Sequence, residues 1–136
     1  MLNILVVDDS SIITKTLSKH LVDFGLNVIG IAKNGTEAIE QYKKLHPDLV
    51  TMDITMPILN GIDALKEIRS FDSQAKVIMI TSHGEERLVM DAITLGAKGY
   101  MLKPITPLKI KLSLQKSFPQ LSERIESNYT TLSLIY

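Results

Sequence analysis

Two adjacent aspartates, Asp8 and Asp9, follow directly on an apolar run near the start of the chain. A third aspartate, Asp53, follows another apolar run, and Thr81-Ser82 and Lys103-Pro104 follow two more. Carboxylate oxygens are ligands that Mg²⁺ prefers, and a carboxylate can also attack phosphorus to give an aspartyl phosphate. A lysine and a hydroxyl group can stabilise the charge on the oxygens of a transferred phosphoryl group. These residue types would therefore suit magnesium-dependent phosphoryl transfer, provided that the fold brings them together.

The elements that must position these side chains are five short apolar runs. Each run is nearly continuous rather than alternating, which is typical of a strand buried on both faces of a parallel sheet. Stretches with a helical spacing of apolar residues separate the runs. The predicted strands cover residues 2–7, 28–32, 49–52, 77–80 and 100–102.

Five helices are predicted to alternate with these strands. The first is capped by Ser10 or Ser11 and ends at Gly25. The fifth follows Thr106-Pro107, where threonine caps and proline suits the first helical position. The other three cover about 36–45, a stretch that begins near 61, and about 85–95. The alternation predicts an α/β fold with a doubly wound, five-stranded parallel sheet, in which polar residues at the carboxyl ends of the strands gather at one edge.

The composition narrows the function classes. The chain has 136 residues, so we expect one domain with its own core. Its 15 basic and 15 acidic side chains give zero net charge, which argues against non-specific nucleic-acid binding and against an anionic membrane surface as a main partner. The sequence has no cysteine, which excludes a thiol nucleophile, a thiolate metal site and a disulfide. We expect neither a signal peptide nor a membrane-spanning segment, and the cytoplasm is the default location.

The end of the chain departs from the strand–helix alternation. We assign residues 1–118 to the domain and 119–136 to a C-terminal tail that is too short for a second domain. Residues 120–128 could form a short helix, and 130–136 are apolar and β-prone. Four fates are open for that end: it packs back on the domain, adds to a sheet edge, binds a partner or is disordered.

The ordered set of motifs resembles the receiver domain of two-component response regulators. The resemblance covers about residues 1–118 and implies the flavodoxin-like (CheY-like) (βα)5 fold with strand order 2-1-3-4-5. No single motif is specific for this family, but the order of the motifs along the chain is specific for it. The motifs are Asp8-Asp9, the Met-Asp-Ile-Thr-Met-Pro segment at 52–57, Asn60-Gly61, Thr81-Ser82, the Gly-Ala-Lys-Gly-Tyr segment at 96–100 and Lys103-Pro104.

The resemblance implies roles for the acidic residues. Asp53 would be the phosphoacceptor. Asp9 would bind Mg²⁺ directly, Asp8 would act mainly through a coordinated water, and the backbone carbonyl of Thr55 would be a further ligand. Mn²⁺ could substitute for Mg²⁺.

The resemblance also implies a switch. Lys103 would contact a phosphoryl oxygen, and the Lys103–Pro104 peptide would be cis. Thr81 would hydrogen-bond the phosphoryl group and move toward it, and Tyr100 would turn inward when Thr81 moves.

Three residues near the expected phosphoryl site call for comment. Ser82 stands where the family usually has the smaller Ala or Gly, so it would either crowd the site or add a donor. His83 and Thr55 flank the expected path of an attacking water and would tune the lifetime of the phosphoryl group.

The function implied is a stand-alone phosphorylation switch rather than an enzyme. A sensor histidine kinase would donate the phosphoryl group, and an output protein would bind the face formed by helix 4, strand 5 and helix 5, for chemotaxis-type or phosphorelay output. A phosphatase and a homodimer are further expected partners, and direct nucleic-acid binding and membrane insertion are not expected. The predicted fourth helix is apolar over more than one stripe, so part of it should be exposed.

Three other functions have less support in the sequence. A phosphatase with an aspartyl-phosphate intermediate usually places Asp-x-Asp after the first strand, whereas Ser10 follows Asp8-Asp9 here. A nucleotide- or flavin-binding fold lacks support because no glycine-rich loop follows the first strand. A degenerate receiver that serves only as an interaction module is disfavoured because the site residues are all present.

Overall fold

Five parallel strands form one sheet in a computed structural model that describes residues 2–134. They are β1 (Asn3–Val7), β2 (Asn27–Ala32), β3 (Leu49–Asp53), β4 (Val77–Thr81) and β5 (Gly99–Leu102). Their order in the sheet is β2-β1-β3-β4-β5, which confirms the predicted fold class and strand order. All five residues of β3 and of β4 are buried, as the continuous apolar runs predicted.

Six helices cover the two faces of the sheet. Alternate residues of β1 point to opposite faces: Leu5 and Val7 belong to one core cluster, and Ile4 and Val6 belong to the other. The first cluster is closed by α2 (Gly35–Leu45), α3 (Gly61–Phe71) and α4 (Glu86–Thr94). The second is closed by α1 (Ser11–Asp23), α5 (Pro107–Ser117) and α6 (Ser122–Ser133), and a 3₁₀ turn (Pro119–Leu121) leads into α6.

The predicted helix caps set where several helices begin. The Ser10 hydroxyl accepts from the Ile13 N–H at 3.3 Å, which selects Ser10 over Ser11 as the first cap. Thr106 caps α5 in the same way, with Pro107 at its first turn. Gly25 follows α1 with a φ of 84°, a left-handed conformation that favours glycine. The side chain of Glu85, the residue before α4, makes no capping bond to its helix and is engaged elsewhere.

The β-prone interpretation of residues 130–136 is wrong for the described part, because residues 130–133 belong to α6. Ile125 and Leu132 lie two helical turns apart and are both buried in the cluster beside α1 and α5. Asn128 Nδ2 donates to the Phe24 carbonyl at 2.9 Å and ties α6 to the end of α1. Burial of one helical face therefore outweighs the local preference for a strand. Ile135 and Tyr136 lie outside the described residues.

The length and polarity of the helices bear on membrane insertion. Over residues 2–134, every helix is too short or too polar to cross a bilayer.

Replacing Ile125 with alanine should lower the free energy of unfolding by about 2–4 kcal/mol, because it opens a cavity beneath α6. Denaturant unfolding followed by circular dichroism measures the change. Ser127→Ala, at an exposed position of the same helix, is the matched control and should change stability by less than about 0.5 kcal/mol. Equal effects of the two substitutions would contradict the packing of α6 on the domain.

Candidate functional site

The carboxyl ends of two neighbouring strands bring three aspartates together. Asp8 and Asp9 follow β1 directly, and Asp53 is the last residue of β3, the strand that pairs with β1. One carboxylate oxygen from each of the three residues lies within 4.8 Å of the others. Asp8 and Asp53 are buried and Asp9 is exposed, so the cluster opens to solvent on the Asp9 side. The switch from β1 to β3 is where ligands bind in doubly wound sheets.

Lys103 places an ammonium group against the two buried carboxylates. It follows β5, and its Nζ lies 3.4 Å from Asp8 Oδ2 and 3.5 Å from Asp53 Oδ1. The Lys103 N–H donates to the Thr81 carbonyl at 2.8 Å, which fixes the start of this segment against β4. The Lys103–Pro104 peptide bond is cis.

The surroundings of Asp53 make its carboxyl group a weaker acid than an ordinary aspartate. Burial and the Asp8 charge raise the pKa of Asp53 to about 6, and Lys103 opposes this shift. For Lys103, burial alone would lower the pKa, but the charges of Asp53 and Asp8 outweigh it and raise the pKa. The pocket therefore places three carboxyl groups beside the one Lys103 ammonium group.

The pocket fits a divalent cation. Asp8 Oδ1 accepts from the Ser10 N–H at 2.9 Å, whereas the buried Asp8 Oδ2 accepts no hydrogen bond and is paired with the Lys103 ammonium group at 3.4 Å. The single Lys103 charge is shared between Asp8 and Asp53 and cannot balance three clustered carboxylates, so a further cation would stabilise the pocket. The three carboxylates supply the oxygen ligands that Mg²⁺ takes, and the cation would offset their mutual repulsion.

Gly61 keeps the loop after β3 close to the site. A Cβ atom at this position would collide with the backbone carbonyl of Asp53. Asn60, just before it, caps α3 by accepting from the Asp63 N–H at 2.9 Å. The Asn60-Gly61 motif thus sets where α3 begins beneath the acidic cluster.

Thr81 ends β4, next to Asp53 on the neighbouring strand, and its side chain is engaged by a residue that the sequence analysis did not assign to the site. The Thr81 hydroxyl donates to Glu85 Oε1 at 3.0 Å, and the Ser82 N–H donates to the same oxygen at 2.6 Å. The hydroxyl of Thr55, an exposed residue after β3, donates to Glu85 Oε2 at 2.6 Å. Burial by itself would raise the pKa of Glu85, but the bonds from Thr55, Ser82 and Thr81 outweigh it and lower the pKa.

Tyr100 and His83 lie outside the acidic cluster. The Tyr100 side chain is 56% exposed and does not point into the sheet. With His83 and Ser82 it lines a groove between α4 and β5 whose floor includes Thr81 and Val89. Met90 and Ile93 of α4 also line this groove. Both are exposed, as is Leu88 of the same helix, which confirms the predicted exposure of part of that helix.

The fold and the site together define a doubly wound α/β domain with an acidic, lysine-containing pocket at its β1–β3 switch point. The response regulator receiver domain family matches residues 4–115, and the chain belongs to that family. It is 45% identical over 113 residues to the chemotaxis protein CheY of Thermotoga maritima, covering 83% of this chain and 94% of that protein. It is 44% identical over 114 residues to CheY of Bacillus subtilis, covering 84% and 95%.

A solved structure supports the same assignment. It is the CheX–CheY–BeF₃–Mg²⁺ complex from Borrelia burgdorferi, in which the matching chain superposes with a TM-score of 0.82 at 40% identity. The match covers 86% of this chain and 89% of that one.

Asp53→Asn should stabilise the metal-free protein in a pH-dependent way. Because the folded-state pKa lies near 6, above the ordinary value of 3.8, ionising Asp53 costs folding free energy. That cost is absent below the ordinary pKa and is complete above the raised one. With allowance for solvent at the mouth of the pocket, the variant should gain about 1–2 kcal/mol near neutral pH and little near pH 4.

Urea unfolding in EDTA at several pH values measures this gain. Asp91→Asn, an exposed aspartate on α4, is the control and should show no such pH dependence. A gain from Asp53→Asn that does not change with pH would contradict the cause assigned to the shift.

Proposed function

We propose that this chain is a stand-alone phosphorylation switch in which Asp53 accepts a phosphoryl group from a sensor histidine kinase. The observation that carries the proposal is the pairing of a buried aspartate at the end of β3 with Lys103 Nζ at 3.5 Å and with two further aspartates. Membership of the receiver family supports the same role. The chain itself would perform only phosphorylation and dephosphorylation of its own aspartate, rather than turnover of a separate substrate.

In the transfer step, a carboxylate oxygen of Asp53 attacks the phosphorus atom. A new P–O bond forms, the P–N bond to the donor histidine breaks, and the imidazole leaves with that electron pair and takes up a proton. A pKa near 6 leaves Asp53 ionised, and hence nucleophilic, at neutral pH. The Lys103 ammonium group contacts a phosphoryl oxygen and offsets the added charge.

Asp8, Asp9, Asp53 and the backbone carbonyl of Thr55 would hold Mg²⁺, or Mn²⁺ in its place. When bound, the ion neutralises charge on the phosphoryl oxygens. The three clustered carboxyl groups, which outnumber the Lys103 ammonium group beside them, support this assignment. Asp8 would act mainly through a coordinated water.

The response to phosphorylation begins at Thr81, whose hydroxyl bonds the phosphoryl group together with a donor from Ser82. Tyr100, now exposed, turns inward as Thr81 moves. Thr55 and His83 stand beside the path of a hydrolytic water and set the phosphoryl lifetime. In hydrolysis, water attacks phosphorus, the bond to the Asp53 oxygen breaks, and inorganic phosphate leaves.

The partners follow from this switch. The output protein binds the face of α4, β5 and α5, whose exposed apolar groove supports such contact. Relatives named as chemotaxis proteins support a chemotaxis-type output, with phosphorelay transfer as the other output. A phosphatase is a further partner, since the Borrelia relative was solved with a second protein, CheX, and a homodimer through α4 is another.

We assign residues 1–118 to the receiver and 119–136 to its tail, and we place the chain in the cytoplasm. We propose neither nucleic-acid binding nor membrane insertion.

Acetyl phosphate with Mg²⁺ should add one acid-stable, base-labile phosphoryl group per chain, and intact-mass spectrometry measures it. Asp53→Asn should abolish the added mass because it removes the nucleophile. Asp91→Asn, which removes an exposed carboxylate from α4, should be labelled like the parent. Labelling of Asp53→Asn at the parental rate would refute the assignment of Asp53.

Asp9→Ala should weaken Mg²⁺ binding by about tenfold or more, because it removes the solvent-facing carboxylate of the cluster. Isothermal titration with MgCl₂ measures the affinity, and Asp91→Ala controls for the loss of one negative charge. An unchanged affinity in Asp9→Ala would show that Asp9 is not a ligand.

A further inference from the structure

Glu85 joins the two loops that flank the acidic pocket. Its carboxylate accepts from the Thr55 hydroxyl in the loop after β3, and from the Thr81 hydroxyl and the Ser82 N–H at the end of β4. Two of these three contacts are 2.6 Å long, which is typical of strong bonds to an ionised oxygen. The side chain is partly buried although it lies in a surface loop. A carboxylate held by three donors of two separate loops has a fixed position.

The donors that hold Glu85 include those that the phosphorylated state needs. Under the proposed function, a phosphoryl group on Asp53 takes a hydrogen bond from the Thr81 hydroxyl and a donor from Ser82. The Thr81 hydroxyl also lies 3.3 Å from the Ser82 carbonyl, but its shorter contact, at 3.0 Å, is to Glu85. It has one proton, which cannot serve Glu85 and a phosphoryl oxygen fully at the same time. Two anions gathered at the same donors would also repel each other.

We propose that the Glu85 carboxylate is an internal competitor of the phosphoryl group: it occupies the Thr81 and Ser82 donors in the unphosphorylated chain and must leave when Asp53 is phosphorylated. This inference rests on the proposed function of Asp53 but concerns a residue outside the acidic cluster. Glu85 is thus a positioning residue, since it acts on the phosphoryl group through the donors that it holds.

The surroundings of Glu85 permit this displacement. Gly84, just before it, has a φ of 92°, and the space where its side chain would lie is open. Glu85 directly precedes α4, and its side chain makes no capping bond to that helix. A displaced carboxylate stays beside the helix N-terminus, where a negative charge is favoured. When the Glu85 carboxylate leaves, the Thr81 hydroxyl becomes free and the first turn of α4 is no longer tied to the pocket. The conformational change can then extend to the α4–β5 groove.

The test compares Glu85→Gln with Glu86→Gln. Each variant removes one negative charge, but Glu86 contacts only the Gly84 N–H, at 3.3 Å, among the bonds recorded for its side chain in the described chain. The probe is beryllofluoride added at saturating Mg²⁺, followed by ¹H–¹⁵N spectra. Glu85→Gln should lower the half-saturating beryllofluoride concentration by roughly 3- to 10-fold, because a neutral amide competes less well for the donors. Glu86→Gln should match the parent.

A second readout reports the contact itself, without metal or phosphoryl analogue. The Ser82 amide proton should move upfield in Glu85→Gln, since its bond to a charged oxygen is lost, and it should not move in Glu86→Gln. Circular dichroism establishes that both variants are folded, and Glu85→Ala should shift beryllofluoride binding in the same direction as Glu85→Gln.

The possible outcomes distinguish a failure of this inference from a failure of the proposed function of Asp53. If the parent binds beryllofluoride and Glu85→Gln binds it equally well or more weakly, Glu85 does not compete and the inference is wrong, while Asp53 remains the acceptor. If neither the parent nor any variant binds beryllofluoride, the proposed function fails, and the inference fails with it. An unshifted Ser82 amide in Glu85→Gln would also overturn the inference, whatever the binding result.

Discussion

Electrostatic repulsion among three clustered carboxylates is the constraint on which the site and much of the fold depend. Asp8 and Asp53 are buried, and the loss of solvation together with the nearby Asp8 charge raises the pKa of Asp53 to about 6. Such a cluster persists only where the surrounding backbone holds it in place. The pairing of β1 with β3 does so, since both strands are buried and both end at the same edge. Lys103 follows β5, the strand on the other side of β4, and supplies the opposing charge.

The sequence was most informative where local chemistry and tertiary environment agree. Continuous apolar runs predicted the buried strands, because both faces of β3 and β4 pack against helices. Thr106-Pro107 predicted the start of α5, because a cap depends on neighbours only three residues away. Residue types at the strand ends predicted which aspartates and which lysine meet, since the topology alone places them at one edge.

Two features could not be predicted because they depend on contacts between distant segments. Glu85 has the signature of an ordinary acidic residue at a helix start, and only the path of the loop after β4 brings it to Thr81 and Thr55. The last turn of α6 is β-prone in sequence, yet the burial of Ile125 and Leu132 against α1 and α5 makes it helical. In both cases a long-range contact outweighs a local preference that is worth only a fraction of a kcal/mol per residue.

The exposed ring of Tyr100 and the hydrogen bond from Thr81 to Glu85 belong to the same conformational state. Thr81 lies between them: its hydroxyl faces the pocket loops, and its backbone pairs with β5, beside the groove that Tyr100 lines. If Glu85 and a phosphoryl group use the same donors, neither the hydrogen bonds to Glu85 nor those to the phosphoryl group alone determine which conformation is populated. What decides it is the difference between the two anions at those donors, and a difference of a few kcal/mol is enough to reverse a two-state population. Under the proposed function, the Glu85 carboxylate would therefore keep the unphosphorylated state populated and leave it within reach of a single phosphorylation event.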